Sequence, residues 1–236
     1  MRTAQWNEPV SVLDRILAII EALGADGGSQ SISELAERTQ LPKSTVSRLV
    51  AEMVDKRYLV RTSSGVSLGL RLFELGARAN PPRKLRELAH PVLTELHRAT
   101  GERVILAVRL GSDMLKITSI PGRIDVGALR APARTTATGK AWLAHDAGSE
   151  PRESTEDADR AFHAELAGVR TKAFAFDREQ TFPGVVSVGC AVLSATRTPV
   201  AALAVSGPPG LMDPVKSGQL VRAAASTLSR RFAAAS

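Results

Sequence analysis

The sequence predicts an α+β chain of two domains, and three observations carry that reading. Residues 31–60, SISELAERTQLPKSTVSRLVAEMVDKRYLV, hold two short amphipathic helical patterns separated by a Leu-Pro break. Residues 58–70, YLVRTSSGVSLGL, alternate and turn at Ser63-Ser64-Gly65, as a β-hairpin does. From Leu85 onward the pattern runs helix, strands, helices, strands, helix, which implies a largely antiparallel sheet with helices packed on it.

The first helix is expected over Val10–Leu23, where Leu13, Ile16, Leu17 and Ile20 form one apolar stripe, and Gly24–Ser29 is a loop by composition. In the next helix Ile32, Leu35 and Ala36 share a face. Ser31 stands in capping-box spacing with Glu34, although Ser33 serves equally as N-cap on spacing alone. Thr39–Lys43 is the break, because Pro42 cannot continue a helix but suits the start of one. Val46, Leu49, Val50 and Met53 then repeat at helical spacing as a buried stripe on a helix over Pro42–Lys56. Its exposed first turns carry Lys43, Ser44, Thr45, Ser47 and Arg48, with no carboxylate before Glu52. Such a surface fits a DNA major groove, with hydroxyls and a guanidinium at base edges and phosphates. The competing reading is a helical hairpin with a solvated polar face. The paired helices, the break and the hairpin together favour a winged helix-turn-helix, with Arg61 of the wing as a further DNA contact.

Arg71–Ala79 reads as a short helix that Asn80-Pro81-Pro82 should end, and this is the clearest boundary in the chain. The expected division is residues 1–70, a linker helix and hinge over 71–84, and a second domain over 85–236. In the second domain a helix over Leu85–Thr100 contains Pro91, which should kink or restart it. Arg103–Leu110 and Met114–Ile120 alternate around a turn at Gly111-Ser112-Asp113, and Val126–Leu129 is a weaker strand. A short helix is expected over Gly139–His145, starting after Thr138, and another over Arg160–Ala167 after a polar loop. Ala173–Phe176, Val185–Leu193 and Val200–Ser206 complete the strands. A closing helix spans Asp213–Phe232, with Val215, Leu220, Val221, Ala224 and Leu228 inward.

Pro42–Leu49 (PKSTVSRL) and Leu68–Gly76 (LGLRLFELG) resemble the DNA-binding half of the isocitrate lyase regulator (IclR) family. Thr138–Ala144 (TGKAWLA), Asp177–Val192 (beginning DREQTFPG) and Leu203–Pro208 (LAVSGP) resemble its effector domain. The five segments stand in the family's order and span the chain from about Val10 to Phe232. The resemblance implies a GAF/PAS-like effector-binding domain after the winged helix-turn-helix and linker helix. It further implies a homodimer or dimer of dimers on a pseudo-palindromic operator, modulated by a small organic effector as repressor or activator. Gln40, Gln180, Ser187 and Ala204 depart from residues common in the family.

A helix starting near Thr138 and Gly139 offers backbone N–H groups and a hydroxyl to a carboxylate. Val185, Ser187, Gly189 and Ala191 share one strand face, and Ala202, Ala204 and Ser206 another. A face of Ser, Gly and Ala leaves room for a ligand, yet the same residues also let a helix pack closely. Carrying over the family's pocket gives Ala131, Ala137, Thr138, Asp177, Val185, Ser187, Ala204 and Ser206 as effector-binding candidates. Asp177 reads either as a solvated turn carboxylate or as a partner for a ligand hydroxyl or amine. Lys140 is expected to snorkel along its helix.

Composition sets outer bounds. The net charge is +7 and the hydrophobic share is 44%, favouring polyanionic partners and packed cores. Residues 1–84 hold 12 Lys and Arg against 9 Asp and Glu, so the basic excess is not confined to the first domain. One cysteine, Cys190, precludes an intramolecular disulfide and a thiolate-rich metal site. No signal-peptide pattern and no apolar run of ~20 residues are present, so a cytoplasmic protein with no membrane partner is expected. Arg134 and Ala141 break a phosphate-loop reading around Gly139-Lys140, and no Gly-x-Ser-x-Gly elbow exists. The four histidines lack metal-ligand spacing. A regulator without metal or cofactor is therefore expected, and an architectural DNA-binding protein is the alternative.

Overall fold

A computed structural model describes residues 11–78, 82–146 and 156–235. The chain divides into two compact units, Met1–Ala79 and Asn80–Ser236.

In the first unit α1 (Val12–Asp26) is capped by Ser11, whose hydroxyl accepts from the Asp14 N–H while the Asp14 carboxylate accepts from the Ser11 backbone. The helix α2 (Ile32–Thr39) carries the same device: Glu34 N–H donates to Ser31 Oγ at 3.2 Å, and Ser31 N–H to Glu34 Oε2 at 2.7 Å. Ser31, not Ser33, is thus the N-cap, and these bonds hold the Glu34 carboxyl below its usual range. Gln40 ends α2 in the left-handed region at φ 56°, anchored by its side-chain amide to the Glu37 carbonyl. Pro42 then caps α3 (Lys43–Asp55). The wing pairs β1 (Leu59–Thr62) with β2 (Gly65–Leu68) around a two-residue turn, with Thr62 opposite Gly65. Gly65 is required there: its φ is 145°, and a Cβ would lie 2.2 Å from the Gln30 carbonyl oxygen. Ile19, Leu23, Leu35, Val46, Leu49, Val50, Leu59 and Val66 fill the core, each worth about 1.5–3 kcal/mol on burial. The final helix, α4 (Leu70–Arg78), leaves Leu70 and Phe73 exposed. The Asn80-Pro81 part of the expected break lies outside the described residues.

The second unit opens with α5 (Pro82–Thr100), one helix that neither stops nor restarts at Pro91. Leu88, Ala89, Val92 and Leu93 pack into the core on both sides of the proline, which outweighs its lost hydrogen bond. The sheet contains β3 (Arg103–Leu110), β4 (Asp113–Ile120), β5 (Arg130–Pro132), β6 (Ala175–Arg178), β7 (Val186–Leu193) and β8 (Pro199–Gly207). Its order is β5-β4-β3-β8-β7-β6, antiparallel throughout. The remaining helices are α6 (Ala137–Leu143), α7 (Glu156–Lys172) and α8 (Pro214–Ala234). One face, with Val104, Leu106, Val188, Cys190, Val192, Leu203 and Val205, packs against α5 and α8. The opposite face meets α6 and α7 through Ala107, Ala175 and Ala202.

Several expected boundaries move. Val126–Leu129 is not a strand; the strand begins at Arg130, where the chain rejoins β4 after the Leu129 carbonyl accepts from the Lys116 N–H. The helix after Pro132 starts at Ala137 rather than Gly139, because Thr136 supplies the cap. Helix α7 outruns its apolar pattern at both ends. The strand expected over Ala173–Phe176 runs from Ala175 to Arg178 and so includes Asp177, whereas Val185 precedes its strand. Val215, expected inward, is exposed in the first turn of α8, where Asp213 caps the backbone.

Candidate effector cavity and nucleic-acid interface

The first turns of α3 present Lys43, Ser44, Ser47 and Arg48 to solvent, with Thr45 half-buried. The buried stripe Val46, Leu49, Val50 and Met53 fixes which side of the helix faces outward. Arg48 Nη1 donates to Glu52 Oε1 at 2.9 Å, both side chains being more than half exposed. A pair of that kind is worth only about 0.3–0.5 kcal/mol, so the guanidinium is readily transferred to a phosphate. Arg61 projects from the exposed β1 strand, opposite Val66.

In the second unit a cavity of about 70 Å³ is bordered by Ala131, Ala137, Thr138, Asp177, Val185, Ser187, Ala204 and Ser206 together. Strand register explains the convergence. Asp177 pairs with Ser187, Ser187 with Ser206, and Ser206 with Arg103, so four polar residues form one row across β6, β7, β8 and β3. The next row is Ala175, Gly189, Ala204 and Ile105, whose small members leave the space above the sheet open. The hydroxyls of Ser187 and Ser206 are hydrogen-bonded at 2.8 Å in the buried floor.

Asp177 is no solvated turn residue. Its side chain is buried, and Oδ1 accepts from the backbone N–H groups of Gln180 at 2.9 Å and Thr181 at 3.3 Å. Lys140 does not snorkel: it is fully buried, and Nζ donates to Glu165 Oε1 at 2.8 Å, the Phe176 carbonyl at 2.9 Å and the Gln180 side chain. Gln180 is therefore the acceptor that binds the loop after Asp177 to α6. Gly139 does not border the cavity. Its N–H donates to Thr136 Oγ1 at 3.1 Å, and a Cβ would stand 2.1 Å from the Ala133 carbonyl oxygen. Its place is a packing one, and the amide expected to meet a carboxylate is already bonded.

Sequence reasoning missed three cations on the cavity wall: Arg103, Lys116 and Arg130. Burial is the main influence on Arg103 and Lys116, lowering the affinity of both for their protons; Asp125 opposes it for Arg103, and Arg103 adds to it for Lys116. Alternation along β3 places Arg103, Ile105 and Ala107 on one face, but that this face meets Ser206 follows only from β3 lying beside β8.

Cys190 lies on the opposite face, in the core under α8, where burial pushes its thiol up to about 11. At pH 8 its thiolate fraction is then about 10⁻³, roughly 200-fold below that of an ordinary cysteine. Labelling by a thiol reagent should accordingly be slower by about that factor in the native protein than in urea. Equal rates would place the thiol at the surface. Among the described residues no group of three His, Cys, Asp or Glu side chains could hold a metal, and no helix is long and apolar enough to cross a membrane.

Two family models match the chain: the IclR helix-turn-helix domain over residues 12–63, and the bacterial transcriptional regulator IclR C-terminal domain over residues 81–230. The chain belongs to the IclR family. This IclR-family chain is thereby a DNA-binding transcriptional regulator and not an enzyme. It is 28% identical over 229 residues to the acetate operon repressor of Salmonella typhimurium, covering 87% of this chain and 83% of that protein. It is 27% identical over 249 residues to the HTH-type transcriptional repressor AllR of Escherichia coli, covering 94% and 92%. The crystal structure of an IclR homolog from Microbacterium hydrocarbonoxydans, complexed with 4-hydroxybenzoate, superposes with a TM-score of 0.84. It is 25% identical, with 96% of this chain and all of that chain covered. The Thermotoga maritima IclR structure shares the fold, with a TM-score of 0.72 at 22% identity over 94% and 98% of the two chains.

Proposed function

We propose that this regulator acts in the cytoplasm as a homodimer, or a dimer of dimers, on a pseudo-palindromic operator, and that a small organic acid in the second unit sets its affinity. Residues 1–70 read DNA, residues 71–84 couple the parts, and residues 85–236 bind the effector and assemble the oligomer. Lys43, Arg48 and Arg61 take phosphates or base edges, while Ser44, Thr45 and Ser47 supply shorter hydrogen bonds. Two-fold symmetry sets the half-sites about one helical turn, ~10 bp, or a multiple apart. Repression is the favoured sign, because the curated relatives named above are repressors.

The observation that carries the effector reading is the cavity itself. Residues from β6, β7, β8 and the start of α6 meet around one recessed space with a polar floor, which a purely architectural dimerisation domain does not need. The 4-hydroxybenzoate complex of the Microbacterium homolog supports a carboxylate-bearing ligand. A coupling of ~1–3 kcal/mol between ligand and DNA would change operator occupancy about 5–150-fold.

Fluorescence anisotropy with the gene's own upstream DNA, beside a scrambled duplex over a salt series, tests the reading. Specific binding ~10³-fold tighter than to the scrambled control is the expected result. Equal binding to both that vanishes with salt would overturn it. In the same assay Arg48→Ala should weaken specific binding about 5–150-fold with an unchanged melting temperature. Unaltered affinity in that variant would remove Arg48 from the interface.

A further inference from the structure

Arg103 is the one charged side chain of the cavity wall that the fold buries without satisfying. Its residue is 3% exposed, at the first position of β3. Nη2 donates to the Val126 carbonyl at 2.7 Å, and the Asp125 carboxylate stands 3.4 Å from the same nitrogen. That carboxylate is largely exposed, so water shares its charge and it neutralises the guanidinium weakly. Nε has no hydrogen-bond partner among the described protein atoms. Burying a guanidinium N–H without a protein partner is costly, so water or a ligand has to complete it, and this one borders a cavity.

The surroundings define that ligand. Lys116 and Arg130 also border the cavity, against Asp177 as its sole carboxylate, so the lining carries a surplus of positive charge. Arg103 and Asp177 occupy opposite ends of the four-strand polar row, with the Ser206–Ser187 hydroxyl pair between them. Apart from Thr136, Thr138 and Thr181 the rest of the wall is apolar, including Ile105, Met114, Val126 and Phe182. We infer that Arg103 is the acid-anchoring residue of the effector site, receiving the carboxylate of a hydroxycarboxylate whose hydroxyl end is directed along the row towards Asp177. Charge-assisted bonds from a planar guanidinium to a carboxylate are about twice as strong as neutral ones. Gly139 cannot fill that place, since its N–H is already bonded.

This inference rests on the second unit being an effector domain, and the experiment separates the two. The cavity volume, about 70 Å³, is roughly half of the 150 Å³ that admits benzene. A compact acid thus fits the recess as it stands, whereas a ring requires the wall to give or extends through the open side. Calorimetric titration of the full chain uses glycolate and 4-hydroxybenzoate as compact and aromatic arms, each beside its neutral amide. At least one acid should bind the wild-type protein ~30-fold or more tightly than its amide, as expected for a charge-assisted contact. Arg103→Gln should reduce that preference to about threefold, and Arg103→Lys should restore part of it because the charge is kept. Where Arg103→Gln does not fold, nitrogen NMR of the wild-type arginine side chains gives the same answer. The Arg103 Nε–H resonance should move with the acid and stay still with the amide. An acid preference that survives in Arg103→Gln, or an unmoved Arg103 resonance under saturating acid, overturns the inference and leaves the effector reading intact. Failure of both acids to bind the wild-type protein at about 10 mM overturns both.

Discussion

A Lys140→Ala variant is expected to lose about 3 kcal/mol of unfolding free energy, the lower end of what breaking a buried ion pair costs. The lower end applies because Glu165 is 40% exposed and can return to water. The Phe176 carbonyl and the Gln180 side-chain oxygen lose their shared donor, and the vacated side-chain volume adds a cavity term. For a unit of this size the loss corresponds to a drop of roughly 6–12 °C in melting temperature. Because Lys140 joins α6 to α7, β6 and the loop after Asp177, effector binding should weaken as well. Differential scanning calorimetry gives the first quantity directly. A shift under 2 °C, roughly 1 kcal/mol at this size, would show that the buried ammonium contributes little.

Gly139→Ala is the companion case and fails for a different reason. The added methyl would stand 2.1 Å from the Ala133 carbonyl oxygen and 2.4 Å from its Cα, both backbone atoms. No side-chain rotation relieves that contact, so α6 or the 133–136 turn has to move. A destabilisation of about 3 kcal/mol is expected, at the top of the usual overpacking range. Gly168→Ala is an internal control within α7, because a Cβ there meets nothing within 4 Å. It should be neutral or stabilising by up to ~1 kcal/mol through helix propensity. If both variants melt together, the close approach at Gly139 is not a constraint on the fold.

Features with a short-range cause were legible in the sequence. The stripe Val46, Leu49, Val50 and Met53 shows which side of α3 must be covered, and so which residues remain exposed. The alternation around Ser187 and Ser206 shows a face of small side chains. What could not be read is which strands lie side by side. Arg103 reaches the row of Ser187 and Ser206 only because β8, nearly 100 residues later, lies between β3 and β7. Without that adjacency an arginine opening a strand looks like a solvent-facing end. The start of α6 falls two residues before the expected Gly139 for a local reason: Thr136, and not Thr138, supplies the capping hydroxyl. The burial of Lys140 is not legible locally, because a lysine next to a glycine on a short helix is ordinarily exposed, and its partners Glu165 and Gln180 come from distant elements.

The unbroken course of α5 has a mechanical meaning. Nineteen residues of helix make a rod about 28 Å long, starting where the chain enters the second unit. Only Gly101 and Glu102 separate its last residue from Arg103. That joint is stiffened by His97 Nδ1 against the Glu102 carbonyl at 2.9 Å and by the Glu102 N–H on the Thr100 hydroxyl at 3.3 Å. A restart at Pro91 would have divided this rod into two pivoting halves and dissipated any tilt along it. As built, the strand carrying the buried guanidinium and the entrance to the second unit stand at opposite ends of one continuous helix.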